Sequence, residues 1–391
     1  MSRAPASFDL GLAPTLLRSD EGTPSRHWYA FSLWLFLVTR ICYLAFGYLA
    51  LRLVPAMRVQ GGLAGLRQYP ALDALCRWDC GWFGHLAHNG YEAATGTAPG
   101  VSTNFWPGLP MAARVLAWVS PIPIDYAILL IPNVFCLAAY LVLYRVFARL
   151  EGESTARWSL LVLAAFPLSF FHTSGYPETI MIFFSAAAVL LGSTRRHISA
   201  GVCLGLGVLA RHLTILMGCT LLAAQVRERG FSGLFKKPLP LLGLLAPFLL
   251  AGLYLLYCWR VFHDPLMFWK ARSDWGATAW WGAREALENF QRRPQVAVYI
   301  PLALLPTIGA IALLFRRSHL ELAAAVIPLL IVLWAIGGFG LGRYAASCWP
   351  AFLPWGRWLD RHPMLRFPLL TVLVLLQGWY FFLHIHHFEV Q

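Results

Sequence analysis

Asp79 stands between Arg77-Trp78 and Cys80-Gly81-Trp82-Phe83, in a stretch that runs on through His85, His88 and Gly90-Tyr91. Tryptophan and tyrosine favour the headgroup level of a bilayer, so this segment is expected to rest at a membrane interface with Asp79 near the headgroups. A carboxylate held there loses part of its hydration, which strengthens it as a base for drawing a proton from an acceptor hydroxyl. The plainer reading is an aromatic interfacial helix with a solvated Asp. Farther on, Glu178 follows Tyr176-Pro177, Arg211 interrupts a long apolar run, and Arg343 follows Gly337-Gly338-Phe339-Gly340-Leu341-Gly342. An arginine inside an apolar stretch is costly unless it pairs or lines a polar cavity. A loop so rich in glycine can bring backbone N–H groups near a phosphate. With Lys270 and Arg272, these cations could steady the negative charge that grows on a leaving phosphate. Snorkelling or a structural ion pair would equally satisfy Arg211, and the helix dipole would favour Glu178 at a helix N-terminus.

The elements that must position these residues follow from composition. Of 391 residues, 59% are hydrophobic and 13% charged, about half the charge that a soluble domain needs to cover its surface. The chain is expected to be an all-α, polytopic transmembrane protein. Segments able to span, or nearly span, a bilayer run over about 27–51, 124–149, 155–173, 177–193, 239–260, 296–315, 319–337, 344–358 and 366–385. The stretch 198–226 is too long for one simple span and short for two, and a hairpin of short helices meeting at Arg211 fits a buried pocket that admits broken backbone. Placing the clusters Arg145/Arg149, Arg195/Arg196, Arg227/Arg229/Lys236/Lys237, Arg316/Arg317 and Arg357/Arg361/Arg366 all on the cytoplasmic side requires that hairpin. About eleven helices result, with residues 1–26 as a cytoplasmic tail and 27–391 as a single transmembrane domain. Long outer loops cover about 54–123 and 262–295. Trp106 to Ser120 suits a helix lying in the interface.

The net charge of +13 is scattered between spans, where topology explains it better than nucleic acid does. Most cysteines lie in apolar segments as small hydrophobes, and Cys76 and Cys80 are expected to be two free thiols, since a bridge over four residues would be strained. No metal site is expected: His85, His88, His384, His386 and His387 find no third ligand at suitable spacing, and no Asp-x-Asp occurs. Gly205-x-Gly207-x-x-Ala210 imitates a dinucleotide fingerprint without the strand that would give it meaning, and Gly201-x-x-x-Gly205 reads as close helix packing. No phosphate-binding loop of the nucleotide-hydrolysing kind is present, so ATP-driven transport by this chain alone is unsupported.

Arg77-Trp78-Asp79 with Trp82-Phe83 and Gly90-Tyr91 resembles the RWD signature of the phosphatidylinositol-glycan class V (PIG-V) mannosyltransferases, membrane glycosyltransferases of the GT-C type. Later motifs agree in order. Asn104-Phe105-Trp106-Pro107 resembles the family's approach to its next helix, and Tyr176-Pro177-Glu178-Thr179 its turn before a span. Ala210-Arg211-His212-Leu213-Thr214 stands where the family has R-P-T-G, with neither Pro nor Gly. His263-Asp264-Pro265-Leu266-Met267-Phe268 followed by Trp275-Gly276, and Arg343-Tyr344 with Pro350, complete the series. The resemblance implies transfer of a hexose, typically mannose, from a polyprenyl-phosphate carrier to an unidentified glycan, lipid or protein acceptor, inverting and without a cofactor. It implies Asp79 as the catalytic carboxylate, with Glu178 orienting the acceptor or partnering an Arg. Arg211, Arg343, Lys270 and Arg272 would bind the donor phosphate. Arg77, Trp78, Trp82, His85, Tyr91, Tyr176, His212, Asp264, Trp275 and Tyr344 would line the pocket. Scarce Lys, abundant Arg, Ala and Leu, and the lack of Asn-x-Ser/Thr suit a bacterial inner membrane with an outward-facing site. The rivals are a secondary transporter or lipid flippase, with coupling residues at the midplane of repeated halves, and an inactive assembly subunit.

Overall fold

A computed structural model of the chain describes residues 26–54, 62–91, 100–236, 238–274, 288, 291, 300–336 and 340–386. The described residues form helices joined by turns and irregular segments, with no strand among them. Five helices are long and apolar enough to cross a bilayer alone: Trp28–Leu53, Ile124–Glu151, Leu239–Phe262, Arg317–Ala335 and Pro363–Ile385. The protein is an integral membrane protein of the all-α, polytopic class. A helix runs over Gly108–Val119, within the stretch Trp106 to Ser120 where one was expected.

The other crossings are built from short helices and irregular backbone. Glu178–Ser193 has 16 residues, about 24 Å at 1.5 Å per residue, less than a hydrocarbon core of about 30 Å. His197–Ala210 stops at Arg211, whose backbone is extended at φ −149°, ψ 116°, before a 3₁₀ turn over His212–Met217 and a helix over Gly218–Lys236. The chain then doubles back. Arg195, just before the first half, pairs with Glu228 near the end of the second at 3.1 Å, so the hairpin expected at Arg211 is present. Uninterrupted helices over 155–173 and 344–358 are not. The first breaks after Ala165 and resumes as a 3₁₀ turn at Ser169–His172. The second is split into Leu341–Ser347, Trp349–Phe352 and Leu353–Arg361. Pro167 and Pro350 sit at these breaks; proline has no N–H for the preceding turn and its ring clashes there. Both segments still run from one end of the bundle to the other.

The two ends differ. One gathers the basic clusters: Arg149 reaches Ser193 at 3.0 Å, Arg227 pairs with Glu321 at 2.9 Å, and Glu151 receives Arg316, His319 (2.9 Å) and Arg357 (3.5 Å). The opposite end holds Asp79, Glu178, Arg211 and Arg343. Close packing joins the ends. A Cβ at Gly201 would collide with the Gly243 carbonyl, and one at Gly205 would come within 2.6 Å of Leu250, so the small-residue spacing there serves helix approach as expected.

Candidate active site

Asp79 opens the helix Asp79–Asn89, and the residue before it bends the chain sharply. Trp78 takes φ 55°, ψ −120°, a region that glycine favours and that costs an L-residue on the order of 1–3 kcal/mol. The Cys80 N–H closes this turn onto the Arg77 carbonyl at 3.2 Å. Cys76 and Cys80 form a disulfide with Cα atoms 5.2 Å apart, which corrects the expectation of two free thiols. The strain foreseen for a four-residue separation assumed ordinary backbone; with the bend at Trp78 the two Cα atoms lie within the range a disulfide spans. Arg77 holds Asp73 through both guanidinium arms at 2.7 and 2.6 Å and donates to the Ile385 carbonyl at 3.3 Å. It thus fastens the turn to the last helix, and it is buried.

The turn is braced from a second element. The Tyr176 hydroxyl donates to the Arg77 carbonyl at 2.9 Å and accepts the Asp79 N–H at 3.1 Å. Burial and then the Asp79 carboxylate push the Tyr176 phenol well above its ordinary value, so it keeps its proton. The loop carrying Tyr176 and Glu178 is pinned in turn by the long helix Ile124–Glu151. Asn133 Nδ2 reaches the Thr173 carbonyl at 2.8 Å, Thr179 Oγ1 donates to the Pro132 carbonyl at 2.7 Å, and Arg40 Nη1 bonds Asn133 Oδ1 at 2.9 Å.

Four charged residues from four elements then meet. Arg343 Nη1 holds Asp79 Oδ2 at 2.7 Å, and its Nε lies 3.3 Å from Glu178 Oε1. Arg211 Nη2 meets the same Glu178 oxygen at 2.7 Å, while its Nη1 donates to the Tyr344 hydroxyl at 2.9 Å. The result is a chain Asp79–Arg343–Glu178–Arg211–Tyr344 with two carboxylates for two guanidiniums. Arg343 also lies over the Tyr176 ring, and Arg211 over that of Tyr344, at 5.1 and 4.9 Å from the centroids. Burial separates the two acids: 13% of the Asp79 side chain is exposed and none of Glu178. Among the described residues nothing donates to Asp79 Oδ1. Among the described residues Glu178 Oε2, Arg211 Nε and Arg343 Nε are buried without a hydrogen-bond partner, the last meeting Glu178 as an ion pair only.

The structure thus brings together Asp79, Glu178, Arg211, Arg343, Arg77, Trp78, Tyr176 and Tyr344. Tyr176 faces no open space, being buried as the brace just described. Trp82 stacks on Phe105 with centroids 5.8 Å apart; Tyr91 is buried and donates to the Phe105 carbonyl at 2.5 Å. His212 packs at 5.5 Å from Trp106, which also meets Tyr254 and Phe268. His85 contacts Asn89 at 3.1 Å, and His88 on the same helix is bonded to Asp125 at 2.7 Å. Lys270 is clasped to Asp264 with 67% of its side chain exposed, a surface pair beside the turn after Leu239–Phe262. Arg272 lies in the helix Met267–Asp274, its side chain outside the described residues, as are Trp275 and Gly337 to Phe339. Asn133 and Arg40 are not among the residues the sequence singled out; Pro132-Asn133 and Arg40, each within an apolar span, were the available signal.

The chain matches no protein-family model and no curated protein sequence. Among solved structures it resembles an oligosaccharyltransferase of Archaeoglobus fulgidus crystallised with zinc and sulfate. Identity is 14% and the TM-score 0.47, over 88% of this chain and 52% of that one. It also resembles the archaeal oligosaccharyltransferase AglB of the same organism, in complex with an inhibitory peptide and a dolichol-phosphate, at 12% identity and a TM-score of 0.46, over 91% and 55%. The chain spans about half the length of these structures.

Proposed function

We propose that the protein is an integral-membrane glycosyltransferase of the GT-C type that moves a hexose, mannose on the motif resemblance, from a polyprenyl-phosphate carrier to an acceptor hydroxyl, with inversion. The observation that carries this reading is the pairing of Asp79 with Arg343 inside the chain of shared charges. A carboxylate oriented through Oδ2, with no donor to Oδ1 among the described residues and part of its surface open, suits a base that draws the proton from the attacking hydroxyl. Arg343 touches Asp79 and Arg211 is joined to it through Glu178, so that negative charge on a departing phosphate would be stabilised there at little reorganisation cost. Glu178 has no exposed surface, so its part is to hold both guanidiniums in place and not to meet the substrate. The exposed Lys270, held by a half-buried Asp264, fits capture of a carrier headgroup at the rim better than the transfer step.

The site is assigned to the extracytoplasmic face. Two observations support that side: the basic clusters collect at the opposite end of the bundle, where the positive-inside rule puts the cytoplasm, and a disulfide next to Asp79 suits an oxidising compartment. Cysteine substitution at exposed Gln68 near the site and exposed Arg361 at the basic end checks it. An impermeant thiol reagent applied to intact cells should label position 68 and spare 361; the reverse pattern would place the site inside.

Purified protein given polyprenyl-phosphate mannose labelled in the sugar, with a panel of hydroxyl acceptors, tests the activity. The expected result is label passing to an acceptor and free polyprenyl phosphate accumulating. Label moving across a proteoliposome while still on its carrier would establish the flippase instead.

A further inference from the structure

The residues that hold Asp79 from behind form a closed unit that the transfer reading does not itself require. The disulfide closes a ring over Cys76, Arg77, Trp78, Asp79 and Cys80. Inside this ring Trp78 keeps the φ 55° backbone that no sequence-local preference of tryptophan would choose. The bend is clasped by a single phenol: the Tyr176 hydroxyl donates a hydrogen bond to the Arg77 carbonyl at 2.9 Å and accepts one from the Asp79 N–H at 3.1 Å. Both sulfurs are buried. Gly175, the neighbour of Tyr176, lies so close that a Cβ there would strike Cys80 Sγ, and its N–H bonds the Leu75 carbonyl at 3.2 Å. Ring and clasp are therefore one piece, made by two segments about a hundred residues apart, and Asp79 sits where they join.

We propose that Tyr176 and the Cys76–Cys80 disulfide are a positioning device for Asp79, fixing the direction in which its carboxylate leaves the backbone without touching substrate. The inference rests on the reading of Asp79 as the base. Arg343 fixes one oxygen of the carboxylate, but a side chain is only as well aimed as the backbone it leaves, and a misplacement of about 1 Å in a reacting group can cost on the order of a hundredfold in rate. The device acts on the transfer step alone, because the groups placed near the carrier phosphate, Arg343 and Arg211, are carried by other segments.

Two variants separate this from a general loss of structure. Tyr176→Phe removes one oxygen while keeping the ring that packs on Phe171 at 4.9 Å and lies beneath Arg343. The double variant Cys76→Ala, Cys80→Ala opens the covalent ring within a buried site that has room for the smaller side chains. In each, kcat is expected to fall by about tenfold or more while KM for polyprenyl-phosphate mannose stays within about twofold. Amide exchange read by mass spectrometry is expected to quicken over residues 76–84 and to stay unchanged over Glu178–Ser193. The peptide containing both cysteines, alkylated without reductant, should be lighter by two hydrogens than the thiol form and unlabelled.

If the wild type transfers sugar and both variants match its kcat, or if both raise KM as much as they lower kcat, the positioning device is refuted and the proposed function stands. Two alkylated thiols in the wild-type peptide would likewise remove the covalent half. If the wild type transfers nothing, the transferase reading falls by itself. Exchange over 76–84 then decides the device: unchanged rates in both variants would overturn it, and quickened rates would keep it as the brace of a site with other chemistry.

Discussion

At one end of the bundle Glu151 collects Arg316, His319 and Arg357 around the close of a long regular helix; at the other, Asp79 and Glu178 share Arg343 and Arg211 where four chain segments break. The first cluster opens to water through Arg316, 37% of whose side chain is exposed, while Glu151 and His319 beneath it are largely buried. The second is nearly sealed, with Arg343 6% and Glu178 0% exposed. Helix ends at a basic surface hold charges cheaply because water and ions screen them. Charges in the second cluster are kept from water and survive only because each has a partner within 2.7–3.3 Å. A membrane protein keeps such an arrangement where charge has a task, and the broken backbone at Arg211, Pro167 and Pro350 is what lets side chains from so many segments converge.

The comparison can be broken most forcefully at its shared acid. Glu178→Gln leaves two buried guanidiniums with one carboxylate, and a loss of stability of about 3–5 kcal/mol is expected, read as a lowered unfolding midpoint in detergent. Arg316→Ala at the other end should cost about 1 kcal/mol or less. Equal losses at the two ends would erase the distinction. Removing the Tyr344 hydroxyl, by Tyr344→Phe, takes one hydrogen bond from the Arg211 guanidinium and is expected to cost on the order of 1–3 kcal/mol, with the same assay as the check. The smallest effect is expected at the rim. The Lys270 ammonium and then the Leu266 N–H lower the Asp264 carboxyl below its ordinary range. A group with a depressed folded value contributes above its unfolded value and loses that contribution as pH falls through the folded one. Asp264→Asn should therefore lower stability slightly at neutral pH and flatten the acid limb, with variant and wild type converging at low pH. A difference that persists unchanged to the acid end would contradict the assignment.

Much of this was legible in the sequence, and the rest has a physical reason for being hidden. Apolar length and basic clusters gave the crossings, and the awkward length of 198–226 with Arg211 at its centre gave the hairpin. The charge-bearing residues of the site also announced themselves, because an acid in an aromatic segment and an arginine in an apolar one are costly wherever they stand. What could not be read was who holds whom. Glu178 looked able to meet a substrate, and only its burial between two arginines makes it a holder. The disulfide was hidden because its geometry depends on Trp78 at positive φ, and a tryptophan, unlike a glycine, carries no sign of such a bend. Pro167 and Pro350 were visible, but apolar runs continuing on both sides concealed that the helices stop there.

The most direct test of the central claim is Asp79→Asn in the purified protein, assayed for sugar transfer and for binding of the polyprenyl-phosphate carrier. The variant has nearly the shape of the original side chain and can still accept a hydrogen bond from Arg343, but it cannot take a proton from a hydroxyl at neutral pH. Transfer is expected to fall by about a hundredfold or more with carrier binding retained. Undiminished transfer by Asp79→Asn would contradict the account.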